Sequence, residues 1–283
     1  MQIIGKIILL SLCMSVAGAA ETLAQNALEQ THLLVAHRGG RYEVDENTID
    51  GFNKAYSAGL RAYETDFRMT KDGVIVISHD ASQKRMFNVD RTVESMTLDE
   101  VRALRTAKGN PMPTAEEFFA HLADKDYMYV ECEMKTNSKE AYYTDEMLRE
   151  YCGKLYEAAM KSKPAHSVYV FTSFDKRPLR IIRELYPDVL TTFITAEPVN
   201  QKNIIEAIDV QANTVAGSLN GTTRNDVVLA HKAKLNVSLW QTDSPETWLR
   251  SAMLGADVST CDAPAETLEW IKKNCKWIKY KLE

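Results

Sequence analysis

Short apolar runs alternate with longer amphipathic stretches along most of this chain. The first clear run, 33–37, reads LLVAH and closes on His37-Arg38-Gly39-Gly40. Glycines there permit a sharp turn and close backbone approach, so the run reads as a strand entering a loop. From Thr48 to Gly59 the period changes: Ile49, Phe52, Ala55 and Tyr56 share one helical face, and Gly59 is a stop signal. A strand over residues 61–68 follows, then the turn Thr70-Lys71-Asp72-Gly73 and a second apolar run over 74–78. A connection this short joins antiparallel neighbours, because a parallel pair needs a crossover of about a dozen residues or more. Centring the turn between Lys71 and Asp72 predicts a hairpin in which His79 faces Glu64; a slip of one residue undoes that pairing.

Beyond the hairpin, residues 81–112 are polar, with a short helix expected over 98–105 and no sign of an inserted domain. Pro113-Thr114 opens a helix through 122, Thr114 serving as N-cap. A strand over 127–134 and a long helix over 140–161 come next. Strands at 167–174, 190–195, 212–219, 237–242 and 257–261 then alternate with helices at 177–186, 200–209, 223–233 and 245–254, and a last helix follows Pro264. With 74–78 counted as a hairpin return, eight strands remain, which is the order and size of an α/β (β/α)8 TIM barrel. A doubly wound open sheet is the competing architecture, but no Gly-rich dinucleotide fingerprint follows the first strand.

Composition agrees with one globular domain: 283 residues, 45% hydrophobic and 26% charged. The N-terminus stands apart, because Lys6, the apolar run 7–16 and Ala17-Gly18-Ala19 form a secretory signal pattern. We therefore expect residues 1–19 to be a signal peptide and 20–283 a single domain, exported to the periplasm or secreted. The apolar run is shorter than the ~20 residues that span a bilayer, so no stable membrane insertion is expected. Cys13 follows Leu12 where lipid attachment requires a small residue, which places a lipid anchor behind a soluble product. Cleavage removes one Lys and no acid, taking the net charge from −5 to −6. That balance, without a basic run, argues against a nucleic-acid partner. Cys132, Cys152, Cys261 and Cys275 match no zinc spacing and leave one or two disulfides or buried thiols open.

The chemistry gathers at predicted strand ends, where barrels carry their active sites. Glu64 and Asp66 lie two apart on one strand, as do Glu131, Glu133 and Lys135 on another, so each set shares a face. Carboxylates crowded on an inner face are costly without a cation, and an all-oxygen set favours Ca²⁺ or Mg²⁺. A solvated strand face explains one such pair of acids; two clusters at barrel strand ends favour the metal. Arg38 and Lys135 supply phosphate-binding charge, and His37 and His79 titrate near neutrality as acid and base. Ser173 and Trp240, also at strand ends, join the substrate-binding set, Trp240 as pocket wall or barrel packing. Glu131 is open between a supporting acid, a binder of a cationic head group and a structural residue. His32, His121, His166 and His231 carry no partner motif and read as structural or surface residues.

The ordered set His37-Arg38-Gly39, Glu46-Asn47-Thr48, Glu64-x-Asp66, Thr70-Lys71-Asp72-Gly73, His79-Asp80, Glu133-x-Lys135, Ser173-Phe174, Trp240 and GADVSTCDAP at 255–264 covers most of the chain after residue 36. It resembles the glycerophosphodiester phosphodiesterase family, relatives of the phosphatidylinositol-specific phospholipases C. The resemblance implies a (β/α)8 barrel and a divalent cation on Glu64, Asp66 and Glu133. It further implies His37 and His79 as acid/base pair, Arg38 and Lys135 at the phosphate, and release of glycerol 3-phosphate from a small glycerophosphodiester. Three departures stand out: Asp45 replaces the usual Pro and is expected to add an acid near the entrance, Trp240-Gln241-Thr242-Asp243 replaces Trp-Thr-Val-Asn, and Cys261-Asp262-Ala263-Pro264 replaces Thr-Asp-x-Pro. None removes a ligand or histidine, so they bear on the alcohol group. The competing readings are a lysophospholipase D on the same barrel and a non-catalytic protein that binds phosphorylated ligands.

Overall fold

A computed structural model describes residues 30–125, 127–137 and 143–280, so the expected signal peptide lies outside the described residues. The chain begins with β1 (Gln30–Thr31), β2 (Leu33–His37), α1 (Ile49–Ser57), β3 (Ala62–Met69) and β4 (Ile75–Ile77). The polar segment carries α2 (Lys84–Phe87), a single 3₁₀ turn (Val93–Ser95) and α3 (Leu98–Arg102), and α4 (Ala115–Leu122) and β5 (Tyr129–Met134) follow it. Then come α5 (Asp145–Lys161), β6 (Val168–Ser173), α6 (Lys176–Leu185), β7 (Leu190–Pro198), α7 (Gln201–Asp209) and β8 (Thr214–Ser218). The chain ends with α8 (Arg224–Lys232), β9 (Asn236–Thr242), α9 (Pro245–Leu254), β10 (Val258–Cys261), α10 (Pro264–Asn274) and β11 (Ile278–Lys279).

Eight parallel strands close on themselves in the order β2, β3, β5, β6, β7, β8, β9, β10, with β10 returning to β2. The (β/α)8 barrel and the helix sequence expected from the pattern are both present. No described helix is long and apolar enough to cross a membrane. Outside the barrel, alternate strand residues such as Tyr63, Phe67, Phe171 and Leu239 meet the buried helix faces in one continuous core. Each fully buried side chain of this size contributes about 1.5–3 kcal/mol. Inside, Leu33, Val35, Ala62 and Val258 close the N-terminal end with Tyr129 packed against them.

Local signals set the helix starts. Thr114 and Glu117 form a reciprocal cap on α4, the Glu117 carboxylate accepting from the Thr114 N–H at 2.9 Å. The helix expected from residue 140 is observed from Asp145, because Thr144 caps it by accepting from the Met147 N–H; residues 140–142 lie outside the described residues. The small parallel pair of β1 with β11 was not legible in the pattern, each strand being two residues long.

β4 is the antiparallel return arm of a hairpin with β3, but its register differs from expectation by one residue. Phe67 pairs with Ile77, Arg68 with Val76 and Met69 with Ile75. The cause is Gly73 at φ +80°: Thr70 and Val74 bond across a three-residue loop at 2.9 Å, where the expected turn had two. His79 therefore is not the cross-strand partner of Glu64. Continued pairing would turn His79 toward the helix-facing side with Ile75 and Ile77. The paired strand ends at Ile77, with a last bond from the Ser78 N–H to the Asp66 carbonyl, and beyond it His79 lines the cavity at the barrel mouth.

Candidate active site

The strand ends carry the site. A cavity of about 460 Å³ opens at the C-terminal end of the barrel and is bordered by His37, Arg38, Glu64, His79, Glu133 and Lys135. β3 and β5 are paired so that Asp66 stands beside Glu133 and Glu64 beside Glu131. One carboxylate oxygen each from Glu64, Asp66 and Glu133 fall within 4.8 Å of one another, and all three residues are buried.

The charge balance within this cluster is uneven. Burial, then the charges of Asp66 and Glu133, push the Glu64 carboxyl well above the usual carboxylate range. Burial also opposes ionisation of Asp66, but His79, Lys135, Arg38 and the 2.8 Å hydrogen bond from the Asn47 amide outweigh it and hold Asp66 low. Lys135 donates to Glu133 at 2.9 Å, and its ammonium is held charged against burial by Glu133 and Asp66. Glu64 Oε1 and Asp66 Oδ1 are buried without a hydrogen-bond partner. Buried carboxylate oxygens left unpaired are costly. Two oxygens of one carboxylate cluster without a hydrogen bond, Asp66 Oδ1 having only the Lys135 ammonium at 3.7 Å, therefore fit a divalent cation with oxygen ligands.

The loop after β2 wraps this cluster. Gly39 and Gly40 have φ +83° and +107°, and a side chain at Gly40 would meet the Pro264 ring at 3.0 Å. Arg38, itself at φ +53°, donates its backbone N–H to Glu64 at 3.0 Å and its guanidinium to Glu46 at 3.0 Å, with Nε 3.5 Å from Asp66. Asn47, at φ +57°, accepts from the Thr65 hydroxyl at 2.9 Å and so presents its amide to Asp66. Asp45 is not an entrance acid: it is buried and receives the Asn110 amide at 2.8 Å and the Thr106 hydroxyl at 2.5 Å, tying the 81–112 segment to this loop.

Each histidine has a carboxylate partner. His37 Nδ1 is bonded to Asp262, leaving Nε2 on the cavity side at 3.8 Å from Glu64. Burial is the main influence on His37 and lowers its pKa, against the opposing bond to Asp262. His79 Nδ1 lies 2.7 Å from Asp80, whose other oxygen accepts from Arg85 at 2.6 Å. Arg85 also donates to Glu46 at 2.6 Å, so one guanidinium joins the loops that carry Arg38 and His79.

Of the residues singled out in the sequence, His37, Arg38, Glu64, His79, Glu133, Lys135 and Trp240 line the cavity, and Asp66 stands in the carboxylate cluster they surround. Ser173 is the exception: it is fully buried, donates to the Met134 carbonyl at 2.9 Å and accepts from the Asp175 N–H at 3.0 Å. Its hydroxyl braces β5 against β6 instead of facing substrate. Phe174, next in sequence, takes the cavity position and meets Trp240 edge-on with ring centroids 5.9 Å apart. Asp262, Asn47 and Glu46 sat within quoted motifs without assigned roles; Arg41, whose Nε lies 2.9 Å from Asp262, had no signal beyond its charge. The four cysteines expected in the mature chain are free and buried.

Residues 37–266 match the model of the glycerophosphoryl diester phosphodiesterase family. A glycerophosphodiester phosphodiesterase of Caldanaerobacter subterraneus is 26% identical over 255 residues, covering 85% of this chain and 98% of its own. A probable glycerophosphodiester phosphodiesterase of Mycobacterium tuberculosis is 28% identical, covering 76% and 81%. Among solved structures, a putative glycerophosphoryl diester phosphodiesterase of Silicibacter pomeroyi superposes with a TM-score of 0.76 at 23% identity, covering 88% of this chain and 96% of that one. A phosphodiesterase of Oleispira antarctica, solved in complex with the product sn-glycerol-3-phosphate, gives a TM-score of 0.76 at 19% identity, covering 85% and 96%.

Proposed function

This chain belongs to the glycerophosphoryl diester phosphodiesterase family, and on that premise we propose that it is an exported, metal-dependent enzyme cleaving glycerophosphodiesters to glycerol 3-phosphate and an alcohol. The observation that carries the reading is the buried trio Glu64, Asp66 and Glu133, two of whose oxygens lack a hydrogen bond, with two carboxylate-held histidines on the same cavity. Glu64, Asp66 and Glu133 would hold a Ca²⁺ or Mg²⁺ ion, which would supply Lewis acidity to the phosphoryl group. Arg38 and Lys135 hold the phosphate by charge, Lys135 from a position 11% exposed beside Glu133. Asp262 and Asp80 fix Nδ1 of their histidines, so each Nε2 is left to exchange a proton in the cavity. One histidine takes the proton of the attacking oxygen, that of water or of the neighbouring glycerol hydroxyl, as it bonds to phosphorus. The phosphorus–oxygen bond to the departing alcohol breaks as the other gives that oxygen a proton. Where the glycerol hydroxyl attacks first, water then opens the cyclic phosphate to glycerol 3-phosphate. Export is proposed from the signal pattern of residues 1–19.

The test is a panel of glycerophosphodiesters assayed with chelator and again with Ca²⁺ or Mg²⁺ restored, lysophosphatidylcholine beside glycerophosphocholine. Metal-dependent release of glycerol 3-phosphate is expected. Preference for the lysolipid moves the assignment to a lysophospholipase D, and tight binding without turnover in either metal moves it to a binding protein.

A further inference from the structure

The two histidines of the site are held in different ways. His37 ends β2 inside the sheet, paired with Glu64 of β3, and Asp262 just past β10 anchors its ring. His79 lies past the end of β4, in a segment where Gln83 is the only buried residue from 79 to 91. Hydrogen bonds set the backbone there. The His79 carbonyl accepts from Arg68 Nε at 3.2 Å and Nη2 at 2.9 Å, and the Gln83 amide donates to the carbonyls of Asp80 at 2.8 Å and Ala81 at 3.0 Å. None of these bonds reaches the imidazole, whose side-chain torsions they leave unset.

The ring is fixed by Asp80, and Asp80 by Arg85. Asp80 Oδ1 lies 2.7 Å from His79 Nδ1, and Oδ2 accepts from Arg85 Nε at 2.6 Å. Among the described residues the Asp80 carboxylate has no other side-chain partner. The same guanidinium forks onto Glu46, Nη1 to Oε2 at 3.0 Å and Nη2 to Oε1 at 2.6 Å. Glu46 is the fixed end of this chain of contacts, being buried and accepting from Arg38 at 3.0 Å as well. The Arg85 side chain is 47% exposed, and ion pairs so exposed ordinarily contribute little to stability. Its geometry is what matters here, since a planar fork that meets oxygens of two loops at once is open to arginine and not to the point charge of lysine. Arg85 does not line the cavity, so its route to the chemistry runs through Asp80.

We propose that Arg85 is a positioning residue for His79: anchored on Glu46, it holds Asp80 so that the imidazole keeps Nδ1 on the carboxylate and presents Nε2 to the cavity. The proposal rests on the phosphodiesterase reading of the site. Arg38 depends less on Arg85, because it keeps Glu46, its backbone bond to Glu64 at 3.0 Å and Asp66 at 3.5 Å. Loss of Arg85 therefore acts on proton transfer and spares the phosphate-binding charge.

The test is kinetic and spectroscopic. Arg85→Ala should lower kcat about 10- to 100-fold, the effect of a small misplacement of a reacting group, and leave KM within about threefold. Arg85→Lys, which keeps the charge and loses the fork, should be nearly as slow, and guanidinium ion added to Arg85→Ala should restore part of the rate where methylammonium does not. In a His79→Ala background, Arg85→Ala should have little further effect, since the residue it acts through is gone. Imidazole nitrogen NMR, with the His79 signals assigned by their absence from His79→Ala, should show the Nδ1-protonated tautomer in wild type and a tautomer mixture in Arg85→Ala. Unchanged kcat, a raised KM alone, an undiminished loss in the His79→Ala background, or the same His79 tautomer in both proteins overturns the assignment. Because the tautomer is read without turnover, an inactive wild type sinks the proposed activity alone.

Discussion

His32 at the closed end of this barrel and the cluster at its mouth bury polar groups in opposite ways. At the closed end, His32 is fully buried, yet both ring nitrogens are engaged: Nδ1 donates to the Ala256 carbonyl at 2.6 Å, and Nε2 meets the Ser259 hydroxyl at 2.8 Å. At the mouth, Glu64, Asp66, Thr172, Thr192 and Trp240 each leave a buried polar atom unpaired. Buried polar atoms are nearly always paired in folded proteins; Trp248 Nε1 and Ser251 Oγ on α9 are unpaired as well, but the exceptions at the mouth gather around one cavity and need a common cause. The difference separates polar groups that complete the fold from polar groups held for a ligand. The closed end should therefore answer to stability measurements and the mouth to ligand and metal.

The largest effect is expected where the mouth meets chemistry. His37→Ala and His79→Ala should each lower kcat by about 10²–10⁴-fold, the usual contribution of one general acid or base. Calorimetric Ca²⁺ binding should persist in both, because neither histidine is among the three clustered carboxylates. Near-normal turnover in either variant would remove that residue from the acid/base pair.

A second test trades function against fold at the same end. Glu64→Gln keeps an acceptor for the Arg38 N–H while removing a carboxylate raised by burial and by its two acidic neighbours. In chelator the variant should melt a few degrees above wild type, at about 2–4 °C per kcal/mol of relieved repulsion. Wild type should gain more on adding Ca²⁺, since a ligand that binds only the folded state stabilises it. A lower melting temperature for the variant in chelator would show that no such repulsion exists.

At the closed end, Leu33→Ala should do the reverse. Leu33 packs in the barrel plug with Val35, Ala62 and Val258, none of which lines the cavity of the site. Truncation should cost about 2–4 kcal/mol in urea unfolding, the usual range for a buried leucine, and leave kcat/KM for the folded enzyme within about twofold. A selective loss of activity would show that the plug and the mouth are not separable.

What the sequence made legible follows the same division. Apolar periods located every barrel strand and most helices because burial on one face writes itself into local spacing. Alternation on one strand was enough to align Glu64 with Asp66, and on another Glu131 with Glu133. What stayed hidden depends on partners far along the chain. The hairpin register turned on Gly73 taking φ +80°, which lengthens the loop by one residue and no hydrophobic count records. Phe174, which carried no expected role, faces the cavity in place of Ser173, because only the folded sheet decides which of two neighbours faces inward. Asp45 resembles a surface acid until Thr106 and Asn110 are brought to it. The cavity is lined from strands spread along the chain, and no single window of sequence contains it.

The smallest effect belongs to His32. Burial lowers its pKa from 6.5 to about 4, against the opposing Ala256 bond and the charge of Asp257. A histidine whose folded value lies below its unfolded value is protonated more readily when unfolded. Its contribution is complete above pH 6.5 and is lost as pH falls toward 4, where the unfolded chain binds up to one more proton. His32→Gln should unfold more easily at pH 7, having lost the ring contact with Trp248 at 5.1 Å, yet lose less further stability between pH 6.5 and 4.5 than wild type. Urea midpoints across that window make the comparison while the raised carboxyl of Glu64 is common to both proteins. If the two curves run parallel, His32 does not change its proton binding on folding, and the paired geometry at the closed end has no influence on acid stability.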